Sequence, residues 1–305
     1  MKKFLMNRYF ILLTGCIFLI FMIHVFFRFL AYGNLTQGDK AFNQGKYQEA
    51  IKFYNMALDW DSKYELAYYQ RGSVYQTLKQ YDAAILEYDK VIKLNPNYIT
   101  AHYNRGLANY YLKNYDAALA DYNKTIQLKP DYSEAYNNRG LAYYELKNYD
   151  AALADYNKAI ELNPISAYTY NNRGNVYFIL KNYDAAILDY KNAIQINSNY
   201  ATAYYNIGNA YRELKMYDGA LSNYDRAIEL NSKYADAYNN RGVTYGQIGN
   251  YKKAIEDITT AIKFNPNFAK SYNARAICYR ALGETEKANA DFAKAKELGF
   301  ELLTT

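Results

Sequence analysis

The sequence predicts an all-α protein, an α-solenoid of tandem helical hairpins preceded by one N-terminal transmembrane helix. Three observations carry that prediction. Glycine recurs every 34 residues, at Gly38, Gly72, Gly106, Gly140, Gly174, Gly208 and Gly242, with Ala276 in the eighth seat. Alanine keeps the same beat at Ala50, Ala84, Ala118, Ala152, Ala186, Ala220, Ala254 and Ala288. A single long apolar run stands before the first copy. A fixed period of this size marks a stacked array, in which each unit buries its apolar face only against its neighbours.

The N-terminal element comes first. Residues 1–32 hold Lys2, Lys3, Arg8 and Arg28 and no acid. Tyr9–Phe27 is apolar except for Thr14, Gly15, Cys16 and His24. As a helix it spans roughly 28 Å, close to the ~30 Å hydrocarbon core. A cleavable signal has a shorter apolar stretch and a small-residue cleavage site, and Ala31-Tyr32-Gly33 is a poor one, so the run reads as an uncleaved anchor. Leu13-Thr14-Gly15-Cys16 resembles the lipobox of bacterial lipoproteins. The apolar stretch before it is short, however, and Ile17–Phe27 stays apolar after it, so Cys16 reads as part of the membrane helix. Three basic residues precede the run, which favours an N-terminus inside and repeats outside the cytoplasm.

Eight copies then follow without insertion, at 33–66, 67–100, 101–134, 135–168, 169–202, 203–236, 237–270 and 271–305. Each reads as two helices. In the fourth copy, helix A covers about Ala135–Leu146, and Lys147-Asn148 makes the turn with Asn148 as N-cap. Helix B covers about Tyr149–Leu162 and stops before Pro164, because the residue preceding proline leaves helical geometry. Helices this short depend on packing for stability. Gly140 is expected to let helix B approach, with Ala152 and Ala159 keeping the seam narrow.

The fourth copy also carries a family pattern. Tyr136, Arg139-Gly140, Tyr143, Ala152, Tyr156 and Pro164 stand at the spacing W-x2-L-G-x2-Y, A-x3-F, P. That spacing resembles the tetratricopeptide repeat, with tyrosine for Trp and Phe and arginine for leucine. The resemblance implies a right-handed superhelix whose A helices line a concave face. It also implies an adaptor that binds protein or peptide partners rather than an enzyme.

The ends differ from the middle. Helix B carries an apolar pair toward the next unit, such as Leu153 with Ile160 or Ile255 with Ile262, but the eighth copy has Asn289 and Lys296 there. The eighth copy is therefore expected to cap the array. The first copy, with Asn34, Gln37 and Ala41 at otherwise patterned seats, is expected to cap the other end near the membrane.

Arg71, Arg105, Arg139, Arg173, Arg241 and Arg275 form a column where the family usually has leucine. Sixteen residues on stand Glu87, Asp121, Asp155, Asp189, Asp257 and Asp291. The copies with Gln37 and Ile207 have Phe53 and Asn223 instead of the acid. Joint loss points to an ion pair between helices A and B of one unit rather than to a binding strip.

Just before each arginine, Asn104, Asn138, Asn172, Asn206 and Asn240 recur one repeat apart, preceded by Gln70. They resemble the asparagine ladder by which some members of the family clamp an extended peptide, since one amide offers both donors and an acceptor. Tyr69, Tyr103 and Tyr205 stand beside them as candidate contacts, with Tyr110, Tyr144, Asn137, Asn171, Asn175, Asn209, Asn239 and Asn273. Tyr88, Tyr122 and Tyr156 read as core. No lysine occupies the seat of Tyr69, Tyr103, Asn137 or Asn171, so the family's carboxylate clamp for chaperone tails is not reproduced.

Other chemistry finds little support. Beyond residue 32 the chain carries 32 basic and 30 acidic residues, which does not suit nucleic acid. His24, His102, Cys16 and Cys278 lack ligand spacing, so no metal, cofactor, small-molecule substrate or catalytic centre is expected. The expectation is a membrane-anchored, non-catalytic scaffold holding an extended peptide. The rivals are a structural assembly factor using its convex face and a regulatory subunit of an enzyme complex.

Overall fold

The computed structural model describes residues 2–300, with side chains from Ile17 onward except Ile20. The side chains of Lys2, Lys3, Arg8 and Cys16 lie outside that description. Every described element is α-helical, and the chain divides into two compact units, 1–147 and 148–305.

The first unit holds α1 (Lys2–Asn43), α2 (Tyr47–Trp60), α3 (Glu65–Thr77), α4 (Tyr81–Leu94), α5 (Ile99–Tyr111), α6 (Tyr115–Leu128) and α7 (Ser133–Glu145). The second holds α8 (Tyr149–Leu162), α9 (Ala167–Ile179), α10 (Tyr183–Ile196), α11 (Ala201–Glu213) and α12 (Tyr217–Leu230). It continues with α13 (Ala235–Gln247), α14 (Tyr251–Phe264), α15 (Ala269–Ala281) and α16 (Thr285–Glu297). Odd-numbered helices are the A helices and even-numbered ones the B helices. Within each unit every helix packs on the one before and after it, and successive A helices also touch. Among the described residues, no two B helices approach as closely. The A helices therefore stand nearer together, which makes theirs the inner face of each unit.

The two recurrent columns explain the hairpin. The alanines at Ala84, Ala118, Ala186, Ala220 and Ala254 are fully buried in the seam. A Cβ added at Gly72, Gly106, Gly174 or Gly208 would lie 2.6–2.9 Å from the ring of Tyr88, Tyr122, Tyr190 or Tyr224, each of them buried. The glycine is thus needed for close approach, and the ring fills the space it leaves. Asn148, Asn182 and Asn250 accept from the backbone N–H of Ala151, Ala185 and Lys253 at 3.2–3.3 Å, as N-caps do.

The A-to-B turn adopts one left-handed residue per copy. Gly45, Gly249 and Gly283 supply it at low cost, but Lys79, Lys113, Lys147, Lys181 and Lys215 hold φ between 58° and 63° in the copies between. A Cβ in that conformation costs roughly 1–2 kcal/mol.

The boundary expected at residues 32/33 is not a break. α1 runs through Gly33 without interruption, so the apolar run and helix A of the first copy are one 42-residue helix. Beyond Leu30, α1 turns Ala31, Leu35 and Ala41 into the core against α2. Before it, Ile17–Phe29 is exposed at every described side chain, including Phe18, Phe21 and Phe26. The length and composition of this helix suit a membrane span or a signal sequence.

Candidate peptide-binding face

The arginine column ties A helices to B helices. Five of the expected pairs fall within one unit. Arg105 donates from Nε and Nη2 to Asp121 at 2.6–3.2 Å, and Arg173, Arg241 and Arg275 grip Asp189, Asp257 and Asp291 at 2.6–2.9 Å. Arg71 donates to Glu87 at 2.6 and 3.0 Å. The sixth pair in the sequence, Arg139 with Asp155, straddles the two units. Donating hydrogen bonds to Asp189 and Asp291 raises the pKa of Arg173 and Arg275 above the usual guanidinium value.

Each arginine also has a partner that sequence reading missed. Its Nη1 reaches helix B of the preceding copy. Arg105 meets Asp89 at 2.5 Å, Arg139 Asn123 at 2.6 Å, Arg173 Asn157 at 2.6 Å, Arg241 Asp225 at 2.6 Å and Arg275 Thr259 at 3.0 Å. Arg71 meets Asn55 in the same way. The signal was present: sixteen residues before each arginine stands an acceptor, whereas Ile207 has Lys191 at that distance. The guanidinium of Arg71, Arg139, Arg173, Arg241 or Arg275 also lies 5.4–5.6 Å from a tyrosine ring three residues earlier. In the third copy that seat is His102, buried 3.5 Å from Asp121 and 2.9 Å from the Pro96 carbonyl.

On the inner face, the ladder asparagines are half-buried and already engaged across copies. Nδ2 of Asn104, Asn138 and Asn240 donates to the hydroxyl of Tyr69, Tyr103 and Tyr205 at 2.8–3.0 Å. Asn206 finds no tyrosine at that seat and donates to Asn171 at 3.0 Å and Asn175 at 3.1 Å. Asn240 also donates to Asn209 at 2.8 Å. Asn172 stands at the matching position of α9 and is half-buried. Among the described residues, Oδ1 of Asn138 and Asn240 accepts from Asn137 and Asn239, and that of Asn104 and Asn206 accepts nothing.

The three candidate tyrosines are less open than the sequence suggests. Tyr69 sits 5.9 Å from Tyr88 and 5.3 Å from Tyr98, Tyr103 is 6.1 Å from Tyr122 and 5.0 Å from Tyr132, and Tyr205 is 6.1 Å from Tyr224 and 5.1 Å from Tyr234. Each ring is wedged between its own hairpin core and the loop into the next copy. Burial raises the pKa of Tyr103 and Tyr205 and pushes Tyr98 and Tyr234 up to about 12. Their hydroxyls remain the polar tips on which the ladder closes.

The inner face of the second unit is concave across several A helices. An open cleft of about 710 Å³ crosses α9, α11, α13 and the start of α15. Tyr205, Asn209, Asn239 and Asn240 line it, with Phe178, Tyr183 and Phe268 as apolar walls. Lys181, Arg212, Lys270, Glu213 and Asp236 also line it, a mixture of charges that sequence periodicity could not reveal. A smaller cleft of about 380 Å³ in the first unit is lined by Ser73, Gln76, Asn104 and Tyr111.

Comparison with known proteins agrees with this architecture. Family profiles described as tetratricopeptide repeat match residues 99–132, 133–165, 235–268, 155–187 and 258–288, and one described as TPR repeat matches 38–79, 77–113, 174–215 and 208–249. Together they run without a gap from residue 38 to residue 288. No curated protein matches the chain. Among solved structures, YrrB, described as a TPR protein with an unusual peptide-binding site, is 26% identical, with a TM-score of 0.51 over 62% of this chain and 97% of its own. MamA 41-end from Desulfovibrio magneticus RS-1 is 22% identical, with a TM-score of 0.53 over 56% of this chain and 96% of its own. Another MamA structure is 28% identical, with a TM-score of 0.49 over 56% and 97%. With an all-α array of helical hairpins and repeat profiles over most of its length, the chain belongs to the tetratricopeptide repeat family.

Proposed function

We propose that this chain is a membrane-anchored, non-catalytic scaffold that holds an extended peptide segment of a protein partner on its A-helix face. The repeat family and its structural neighbours support a role in protein–protein interaction. The observation that carries the finer reading is the open cleft across α9, α11 and α13, which the ladder residue Asn240 lines with Tyr205, Asn209 and Asn239 between apolar walls. A side-chain amide pairs with a peptide unit without reading its side chain. The description of YrrB as a peptide-binding protein supports the same use of the fold.

Two limits follow from the geometry. Asn104, Asn138, Asn206 and Asn240 each use at least one donor to join neighbouring copies. A peptide therefore meets the remaining donor and acceptor capacity, together with the charged rim. Each hydrogen bond contributes only about 0.5–1.5 kcal/mol, so affinity from the ladder alone is modest. The apolar part of α1 anchors the array, and the basic excess before it favours repeats outside the cytoplasm.

The test is binding of the full chain, reconstituted in lipid nanodiscs, to an array of unstructured peptides of varied charge. Wild type is compared with the rim variant Lys181→Glu/Lys270→Glu, whose two side chains carry no structural ion pair among the described residues. Peptide binding that changes in charge preference in the variant supports the reading. Identical binding profiles, or none for either protein, count against it.

A further inference from the structure

We infer that the first repeat stands directly on the bilayer, with Trp60 at the C-terminal end of α2 seated at the headgroup boundary. The inference rests on the reading of Tyr9–Phe27 as the membrane span. It goes further by assigning a second element of the chain to the lipid surface.

No turn or break separates the apolar run from helix A of the first copy, so the repeat is rigidly attached to the anchor. α2 runs back along α1 and returns to the level where the apolar run ends. At that level the Phe27 and Trp60 rings lie 5.5 Å apart. One residue further along each helix, Arg28 Nε donates to Asp61 Oδ2 at 3.4 Å. If Phe27 closes the hydrocarbon span, Trp60 must lie within a few ångströms of the same depth.

The residues at that level suit the interface. Trp60 is the chain's one tryptophan and stays 43% exposed although it packs on Phe27. Met56, one turn earlier on α2, is also exposed, and Phe26, Phe29 and Tyr32 follow at three-residue spacing along the exposed part of α1. Tryptophan and tyrosine favour the headgroup zone because they combine an apolar body with a polar tip. Of the two acids that flank Trp60, Asp59 is exposed and Asp61 has its charge met by Arg28, which lessens the cost of that carboxylate near lipid. Sixteen further residues of α1 carry the turn at residues 44–46 about 24 Å from the level of Phe27. The first hairpin thus stands upright, with its α2–α3 loop toward the bilayer and its α1–α2 turn away from it.

The single tryptophan makes the test direct. The full chain is reconstituted into phosphatidylcholine vesicles, and flotation establishes whether it is membrane-held. Trp60 emission is then quenched in turn by nitroxide at the lipid headgroup, by nitroxide near the acyl-chain end, and by acrylamide in the water. The expected result is a floating protein whose Trp60 is quenched most by the headgroup nitroxide and is shielded from acrylamide. Arg28→Ala, which removes the tether to Asp61, should lower the headgroup quenching while flotation persists. A floating protein whose Trp60 is open to acrylamide and untouched by either nitroxide overturns the seating and leaves the anchor intact. Stronger quenching from the chain end overturns the headgroup depth. A protein that does not float overturns the anchor and the seating together.

Discussion

Arg105 and Asp89 belong to neighbouring copies, and their side chains meet at 2.5 Å while the same guanidinium grips Asp121 of its own copy. One side chain therefore ties three helices, α4, α5 and α6. The intra-copy partner is buried, whereas Asp89 is about half exposed at 48%. Removing Arg105 should cost on the order of 3 kcal/mol, because Asp121 is left without its guanidinium partner in a dry seam. Removing Asp89 should cost roughly 0.5–1 kcal/mol, the range of exposed pairs. A double-mutant cycle by denaturant unfolding measures both couplings. Equal costs for Asp89→Ala and Asp121→Ala would show that burial does not set the difference.

Lys113 holds a left-handed backbone that glycine adopts freely at the same seat in the first, seventh and eighth copies. Relief of the Cβ clash outweighs the extra freedom glycine has when unfolded, so Lys113→Gly should stabilise the protein by roughly 0.5–1 kcal/mol. The reverse change, Gly249→Lys, should destabilise it by a similar amount. Thermal unfolding of the two variants beside wild type decides the sign.

The core tyrosines are not equivalent. Tyr190 and Tyr224 donate to Asn175 and Asn209 at 2.9 and 2.8 Å, but Tyr122 faces Leu107 at the corresponding seat, and its buried hydroxyl has no partner. Tyr122→Phe should therefore be neutral or stabilising. Tyr224→Phe should cost about 1 kcal/mol through loss of its hydrogen bond to Asn209, whose Oδ1 keeps Asn240 as a donor. A larger loss at Tyr122 than at Tyr224 in denaturant unfolding would contradict this.

The tyrosine content also sets an alkaline limit. Burial pushes Tyr98, Tyr110, Tyr200 and Tyr234 up to about 12, against about 10 for an unfolded phenol. Between those values the unfolded chain releases protons that the folded chain keeps, so stability falls as pH rises. The contribution is fully present below pH 10. Far-UV circular dichroism followed together with phenolate absorbance should show helicity collapsing as the last tyrosines ionise. Complete ionisation near pH 10 with helicity retained would exclude the burial effect.

Much of the hairpin architecture was legible because each copy repeats the same chemical necessity. Gly106 must be small for the Tyr122 ring, and Arg105 and Asp121 appear or vanish together. What was not legible depends on how copies are set against each other. The partner of Asn104, Tyr69, lies 35 residues away in another copy, and only the stacking offset brings the two together. The rings of Tyr69 and Tyr103 are wedged for the same reason, since Tyr98 and Tyr132 fold over them from the next loop. The apolar run and the first 34-residue copy read as separate segments meeting at 32/33, yet α1 runs straight through Gly33 with Ala31 and Leu35 packed on α2.

The central claim is that the partner lies on the A-helix face, and site-specific photo-cross-linking of the full chain in native membranes tests it most directly. A photoreactive residue is placed in turn at Lys270, on the rim of the cleft, and at Leu188, exposed on helix B of the fifth copy. The account predicts a cross-linked protein partner from position 270, joined through a segment without regular structure, and none from position 188. Capture from position 188 alone would contradict the account and move the interaction to the outer face.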